Sequence, residues 1–187
     1  VLGQVLNPYF NETIVLHCSG ATSINVLSPI AAHYGVMWPI YSIKKHLVDQ
    51  LATDIPLVIN ANSEAIISKL QQLAQIVSSK VDIVTEQERA ALHLGATVVN
   101  NFTNHLYAQM QHWLRDKQID FDLLKPIMMQ QSLLIPTTVD FQQNQTGAAI
   151  RGDENTIQNH LAQLEDQSYL KKIYELLTAA IQASKKG

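Results

Sequence analysis

The sequence predicts an α/β lead-in followed by a mainly α-helical bundle domain with one long central helix. Three observations carry this. Short β-branched runs with brief connections fill the chain up to about residue 60. From Asn62 onward the apolar residues recur at the helical period. A stretch from Thr85 to Arg115 runs without proline behind a capping box made by Thr85 and Glu88.

Thr13 to His17 (TIVLH) reads as a buried strand feeding the Cys18-Ser19-Gly20 loop, the usual arrangement in a parallel sheet. Ser23 can cap a short turn through Leu27, which Pro29 limits. Gly35 to Ser42 (GVMWPIYS) is a second strand, and Pro39 should place its latter half at an edge or a bulge. Pro56 to Asn60 is a third strand. Ile66, Leu70, Leu73, Ala74 and Val77 mark one face of a helix ending near Ser79, and Val81 to Val84 is a brief strand.

In the long helix, Ala91, Leu92, Leu94, Val98, Val99, Phe102, Leu106, Met110 and Trp113 surround more than one face. That predicts a helix touched on several sides. His93, Thr97, Asn100, Asn104 and Gln111 form one polar stripe along it. Buried amides and imidazoles need partners, so the stripe is either satisfied by neighbouring chain or lines a wet cavity.

Phe121 to Leu134 reads as a further helix, starting late or bending at Pro126, with Leu124, Ile127, Met128 and Leu134 as its core. Thr137 to Asp153 has no period and reads as an ordered loop, long enough to suggest function. Two amphipathic helices close the chain, Asn155 to Leu164 and Ser168 to Ala183. Their apolar faces are Ile157, Leu161 and Leu164, then Leu170, Ile173, Leu176, Leu177 and Ile181.

At 187 residues the chain can hold one substantial core or two small ones. A net charge of −3 and 16% charged residues give no electrostatic case for nucleic acid. The single cysteine, Cys18, excludes an internal disulfide framework. With no recognisable signal peptide, it points to a reducing, cytoplasmic compartment. No uninterrupted apolar run of membrane-spanning length occurs, so no membrane partner is expected. The opening VLGQVL, stopped by Asn7-Pro8, reads as the tail of a helix, so a chain cut from a larger protein is expected.

Familiar chemical motifs are absent: no GxGxxG, P-loop, CxxC, HExxH or GxSxG occurs. The spacing of His105 and His112 does not suit a zinc pair, so no metal is expected. The His17-Cys18-Ser19-Gly20 loop lies at a strand's carboxyl end, where open α/β sheets bind ligands. Gly20 could equally be needed for a turn alone. Nothing in the sequence marks Cys18 as an activated nucleophile. Arg151, following Gly147, could hold a carboxylate or phosphate. Alternatively Arg151 pairs with Asp153, and Asp153 caps the next helix.

The order HCSG, YGVMWPIYS, LHLGATVVNNFTNHLY, then TGAAIRGD followed by HLAQL resembles a bacterial family of uncharacterised oxidoreductase-like proteins. In that family a Rossmann-like NADP-binding domain precedes a helical domain of unknown function. Asn101 to His105 and Thr146 to Asp153 are its most specific segments. The family is similar in plan to the 6-phosphogluconate dehydrogenase, β-hydroxyacid dehydrogenase and pyrroline-5-carboxylate reductase group, whose helical domains dimerise and close over the nicotinamide.

The resemblance implies that residues 1–50 are the end of a Rossmann-like sheet and residues 51–187 a helical substrate-binding and dimerisation domain. His17, Ser19 and Gly20 would sit near the nicotinamide of NADP or NAD, with the glycine-rich turn outside this chain. Thr97, Asn100 and Asn104 would face a small-molecule substrate, and Arg151 could reach toward it. β-Hydroxyacid dehydrogenases carry a lysine three residues before an Asn-Asn pair; here Thr97 precedes Asn100-Asn101, leaving His93 as the nearby proton donor or acceptor. The expected function is therefore part of an NAD(P)-dependent oxidoreductase working as a homodimer, with this chain alone giving little catalysis. The alternatives are a non-catalytic nucleotide- or metabolite-binding or dimerisation module, and a purely structural helical domain.

Overall fold

The computed structural model describes residues 13–43 and 54–185. The VLGQVL segment and the boundary expected near residue 50 lie outside the described residues. The rest falls into two compact units, one up to His105 and one from Leu106.

The first unit holds a four-stranded sheet, β1 (Ile14–His17), β2 (His33–Pro39), β3 (Leu57–Ala61) and β4 (Val81–Ile83), in that spatial order. β1 and β2 are parallel, as are β3 and β4, but β2 and β3 are antiparallel, with Met37 opposite Ile59. The sheet is therefore mixed, not parallel. A continuous apolar run reports burial on both faces and says nothing of pairing direction.

β3 shows that two-sided burial. Leu57, Ile59 and Ala61 face helix α1 (Glu64–Val77) and meet Ile66, Leu70 and Ala74. Val58 points the other way, into a cluster with Ile24, Val36 and Trp38. Each leucine, isoleucine or valine among them stabilises the fold by about 1.5–3 kcal/mol on full burial. On α1 the expected stripe is covered at Ile66, Leu70 and Ala74, while Leu73 and Val77 are exposed.

Gly35 is a glycine for packing: an added Cβ would collide with the Asn60 carbonyl oxygen across the β2–β3 ladder. Pro39 closes β2 opposite Leu57, on an inner strand of the described sheet, not at an edge or bulge. As the strand's last residue it removes only a terminal donor, and the next N–H, of Ile40, donates to the Pro56 carbonyl at 2.8 Å.

The long helix exists as a run of 31 residues in three parts: α2 (Glu86–Ala96), a π-helical segment (Thr97–Phe102) and α3 (Thr103–Asp116). Its capping box is complete. The Glu88 N–H donates to Thr85 Oγ1 at 3.2 Å, and the Thr85 N–H donates to the Glu88 carboxylate at 2.7 Å. Yet Leu92, Leu94, Val98, Val99 and Phe102 are exposed on this chain, so it does not cover the helix on several sides as expected. An apolar stripe predicts that something covers it, not that the same chain does.

In the second unit a 3₁₀ turn, Phe121–Leu124, precedes α4 (Lys125–Leu134), with Pro126 in the first turn where its missing N–H costs nothing. Leu124, Ile127 and Leu134 are exposed, not core. The expected loop from Thr137 contains a 3₁₀ turn, Phe141–Asn144, and a short helix α5 (Ala148–Arg151) between two glycines of positive φ, Gly147 and Gly152. Four helical residues are too few to show a period in sequence. α6 (Glu154–Gln163) and α7 (Ser168–Ser184) bury Ile157 and Leu170, and Leu164 is buried just past α6, while Leu176 and Leu177 are exposed.

Candidate functional site

The site is built where the loop after β1 meets α2. His17 ends β1, and its Nδ1 accepts the Ser19 N–H at 3.1 Å, which puts the ring proton on Nε2. That Nε2 is buried without a hydrogen-bond partner among the described residues. Burial, and then the positive charge of Arg89, hold the His17 imidazole below its ordinary pKa. The Ser23 backbone and Glu86 pull the other way, the former without completing a hydrogen bond to Nε2.

Ser19 Oγ gathers the loop. It accepts the Ala21 N–H at 3.3 Å, the Thr22 N–H at 3.1 Å and the Thr22 hydroxyl at 2.8 Å. Gly20 is buried, and a Cβ there would stand 2.5 Å from His93 Cδ2 and 2.8 Å from the Trp38 ring. The glycine is therefore required by the close approach of two side chains. His93 in turn packs against Trp38, ring centroids 5.6 Å apart and tilted by 58°.

Beside this contact an open groove of about 1400 Å³ runs along α2 and the π-helical segment. Trp38, Tyr41, Leu92 and Val99 give it apolar walls, and His93, Thr97, Asn100 and Asn101 supply polar groups. Thr97 Oγ1 donates to the His93 carbonyl at 2.9 Å, so its proton is committed while its lone pairs remain. Asn100 Nδ2 donates to Asn101 Oδ1 at 3.0 Å.

Of the expected substrate residues, His93, Thr97 and Asn100 share the groove; Asn104 does not line it, and Asn101 does. A π turn holds one residue more than an α turn and so rotates the remainder of the helix by about 100°. The even spacing of the stripe assumed an unbroken α-helix. Arg151 belongs to the second unit, exposed, with Nη2 3.9 Å from Asp153 Oδ2. Asp153 caps α6 by accepting the Thr156 N–H at 3.1 Å and hydroxyl at 2.7 Å. Cys18 is exposed.

Two side chains of this site escaped the sequence reading. Trp38 drew notice only as a replacement for the histidine that the resembled family often carries before this proline, and Arg89 not at all. The signal for Arg89 was present: a cation two turns from Thr97, on the same helical face as His93. Among the described residues no cluster of His, Cys, Asp and Glu could hold a metal, and no helix is long and apolar enough to cross a membrane.

Residues 55–181 match the family model described as a domain of unknown function, DUF2520. The chain belongs to the DUF2520 family. It is similar to the crystal structure of a candidate NADP oxidoreductase from Bacteroides fragilis, at 31% identity and a TM-score of 0.87. That likeness covers 97% of this DUF2520 chain and 70% of the other. A protein from Thermotoga maritima shares the fold, with a TM-score of 0.72 at 17% identity over 92% of this chain and 69% of that one. No curated protein matches.

Proposed function

We propose that this DUF2520 chain supplies the substrate side of an NADP- or NAD-dependent oxidoreductase. What supports the reading is one contact: His93, at the edge of the groove, lies against Gly20 in the loop at the carboxyl end of β1. That end of a sheet is where open α/β folds place nucleotides. The likeness to a candidate NADP oxidoreductase adds to it.

The residues fit the nicotinamide end of such a cofactor. A flat apolar wall of Trp38 and Tyr41 beside a few polar groups suits an aromatic amide, and ligand pockets of roughly 300–1,000 Å³ would fit within this open groove. When bound, the dinucleotide would supply or accept the hydride. His93 would then give or take the proton at the substrate oxygen. Thr97 and Asn100 would orient the substrate, and Ser19 and Gly20 would border the nicotinamide. In this reading residues 1–50 close the nucleotide-binding part, residues 51–187 form the substrate and dimer part, and the plan follows the 6-phosphogluconate dehydrogenase group. The exposed Leu94, Val98, Val99 and Phe102 favour a homodimer, because apolar surface of that extent is usually covered.

The test is NADPH oxidation by the complete protein, nucleotide-binding part included, against a panel of small carbonyl compounds, comparing the wild type with His93→Ala. General acid catalysis contributes about 10²–10⁴-fold, so turnover should drop by about a hundredfold or more with little change in melting temperature. Matched losses of activity and stability would make His93 a structural residue. A second reading, nucleotide binding without turnover, is favoured by Thr97. It stands where β-hydroxyacid dehydrogenases carry lysine, and its proton is spent on the His93 carbonyl.

A further inference from the structure

Arg89 is 1% exposed, and a charge held that deep needs partners. It finds nearly all of them in a single loop. Nη1 donates to the carbonyl oxygens of Ser19 and Gly20, both at 2.8 Å, and Nη2 donates to that of Thr22 at 2.7 Å. The nearest acid is Glu86, 3.6 Å from Nη2 and substantially exposed. Among the described residues Nε has no partner.

That loop is the one that carries Ser19 and Gly20. Arg89 and His93 are four residues apart on α2 and therefore on one face of it. His93 abuts the same loop at Gly20. The guanidinium thus holds three carbonyls on one side of the loop, while Ser19 Oγ holds the Ala21 and Thr22 N–H groups. A loop whose polar groups are already satisfied keeps its shape before any ligand arrives, which lowers the cost of binding.

We propose that Arg89 is a positioning residue that clamps the Ser19–Thr22 loop onto α2 and so fixes the spacing between the His93 imidazole and Gly20. The inference rests on the reading of this groove as the reaction site. A planar fork with five donors can reach three carbonyls at once; a lysine ammonium, a point charge on a flexible stem, cannot. The same guanidinium adds to burial in keeping the His17 ring neutral.

The test compares wild type, Arg89→Met and Arg89→Lys by amide hydrogen exchange and proton NMR on the full chain without nucleotide. Leu70→Ala, a cavity variant in the core between α1 and the sheet, serves as the control for lost stability. In Arg89→Met the Ala21 and Thr22 amides should exchange about tenfold faster or more. The nuclear Overhauser effect between the Gly20 α protons and the His93 ring should disappear. Leu70→Ala should keep both signals at the wild-type value. Should Arg89→Met fail to fold, Arg89→Lys, which keeps the charge, should show the same loosening in weaker form. Unchanged loop exchange and an unchanged Gly20–His93 effect in a folded variant would overturn the proposal. Absence of NADPH binding by the complete protein, nucleotide-binding part included, would count against the oxidoreductase reading alone, because the exchange comparison needs no nucleotide.

Discussion

Gly20 and His93 are packed so closely that a single methyl group on the glycine would stand 2.5 Å from the histidine's Cδ2. The contact joins the loop after β1 to the helix that lines the groove. Gly20→Ala must therefore push His93, Trp38 or the loop aside. Overpacking of this kind costs about 1–3 kcal/mol, read as a lower urea midpoint. The double variant Gly20→Ala/His93→Ala should recover part of that loss, because one of the two colliding side chains is gone; strict additivity would mean that the two sites are not coupled.

His17 predicts a pH dependence with a definite sign. Its folded pKa lies below the ordinary 6.5, so below that pH the unfolded chain binds more protons than the folded one. Its contribution is present above 6.5 and is lost as the pH falls through the folded value. His17→Gln should flatten the decline in urea midpoint between pH 7 and about pH 5. An equally steep decline in the variant would assign it to other groups.

Thr85→Ala removes the hydroxyl that accepts the Glu88 N–H and one of the bonds that hold the Glu88 carboxylate below its ordinary pKa. Loss of an N-cap costs about 0.5–2 kcal/mol, visible as a lower melting temperature. Because the Glu88 contribution is present above its unfolded pKa and is lost as pH falls, the difference between wild type and variant should shrink in acid.

Asn101→Ala should weaken ligand binding in the groove by about tenfold, one lost hydrogen bond to a polar ligand group. Asn104→Ala should leave it unchanged, since Asn104 is not among the groove's lining residues. Isothermal titration with NADPH and with small hydroxy acids would compare the two. The reverse order would mean that the helix runs as an unbroken α-helix in solution.

How much of this the sequence disclosed depends on the kind of information each pattern encodes. The capping box at Thr85 and Glu88 is a local exchange of two hydrogen bonds, so four residues suffice to read it. The strand around Val58 was legible because burial on both faces leaves no polar alternation. The π turn was not, because a helical wheel assumes a constant angle per residue; Asn104 was placed on the groove by that assumption. Arg89 sat unnoticed among the glutamates and glutamine of a helix start, where a surface arginine is ordinary. Its role depends on three carbonyl groups in a loop about 70 residues earlier. Leu94 and Phe102 announced a covered face, but the period could not say that this chain leaves it bare.

Whether the groove beside Gly20 and His93 receives a nicotinamide cofactor is tested most directly by titrating NADPH into the complete protein, nucleotide-binding part included, and following the histidine ring signals by NMR. The expected result is saturable shifts of the His17 and His93 rings, with His33, at the exposed start of β2, unmoved. If all three rings stay at their ligand-free positions at millimolar NADPH, a concentration that would detect any affinity stronger than about −4 kcal/mol, nicotinamide binding in this groove is contradicted.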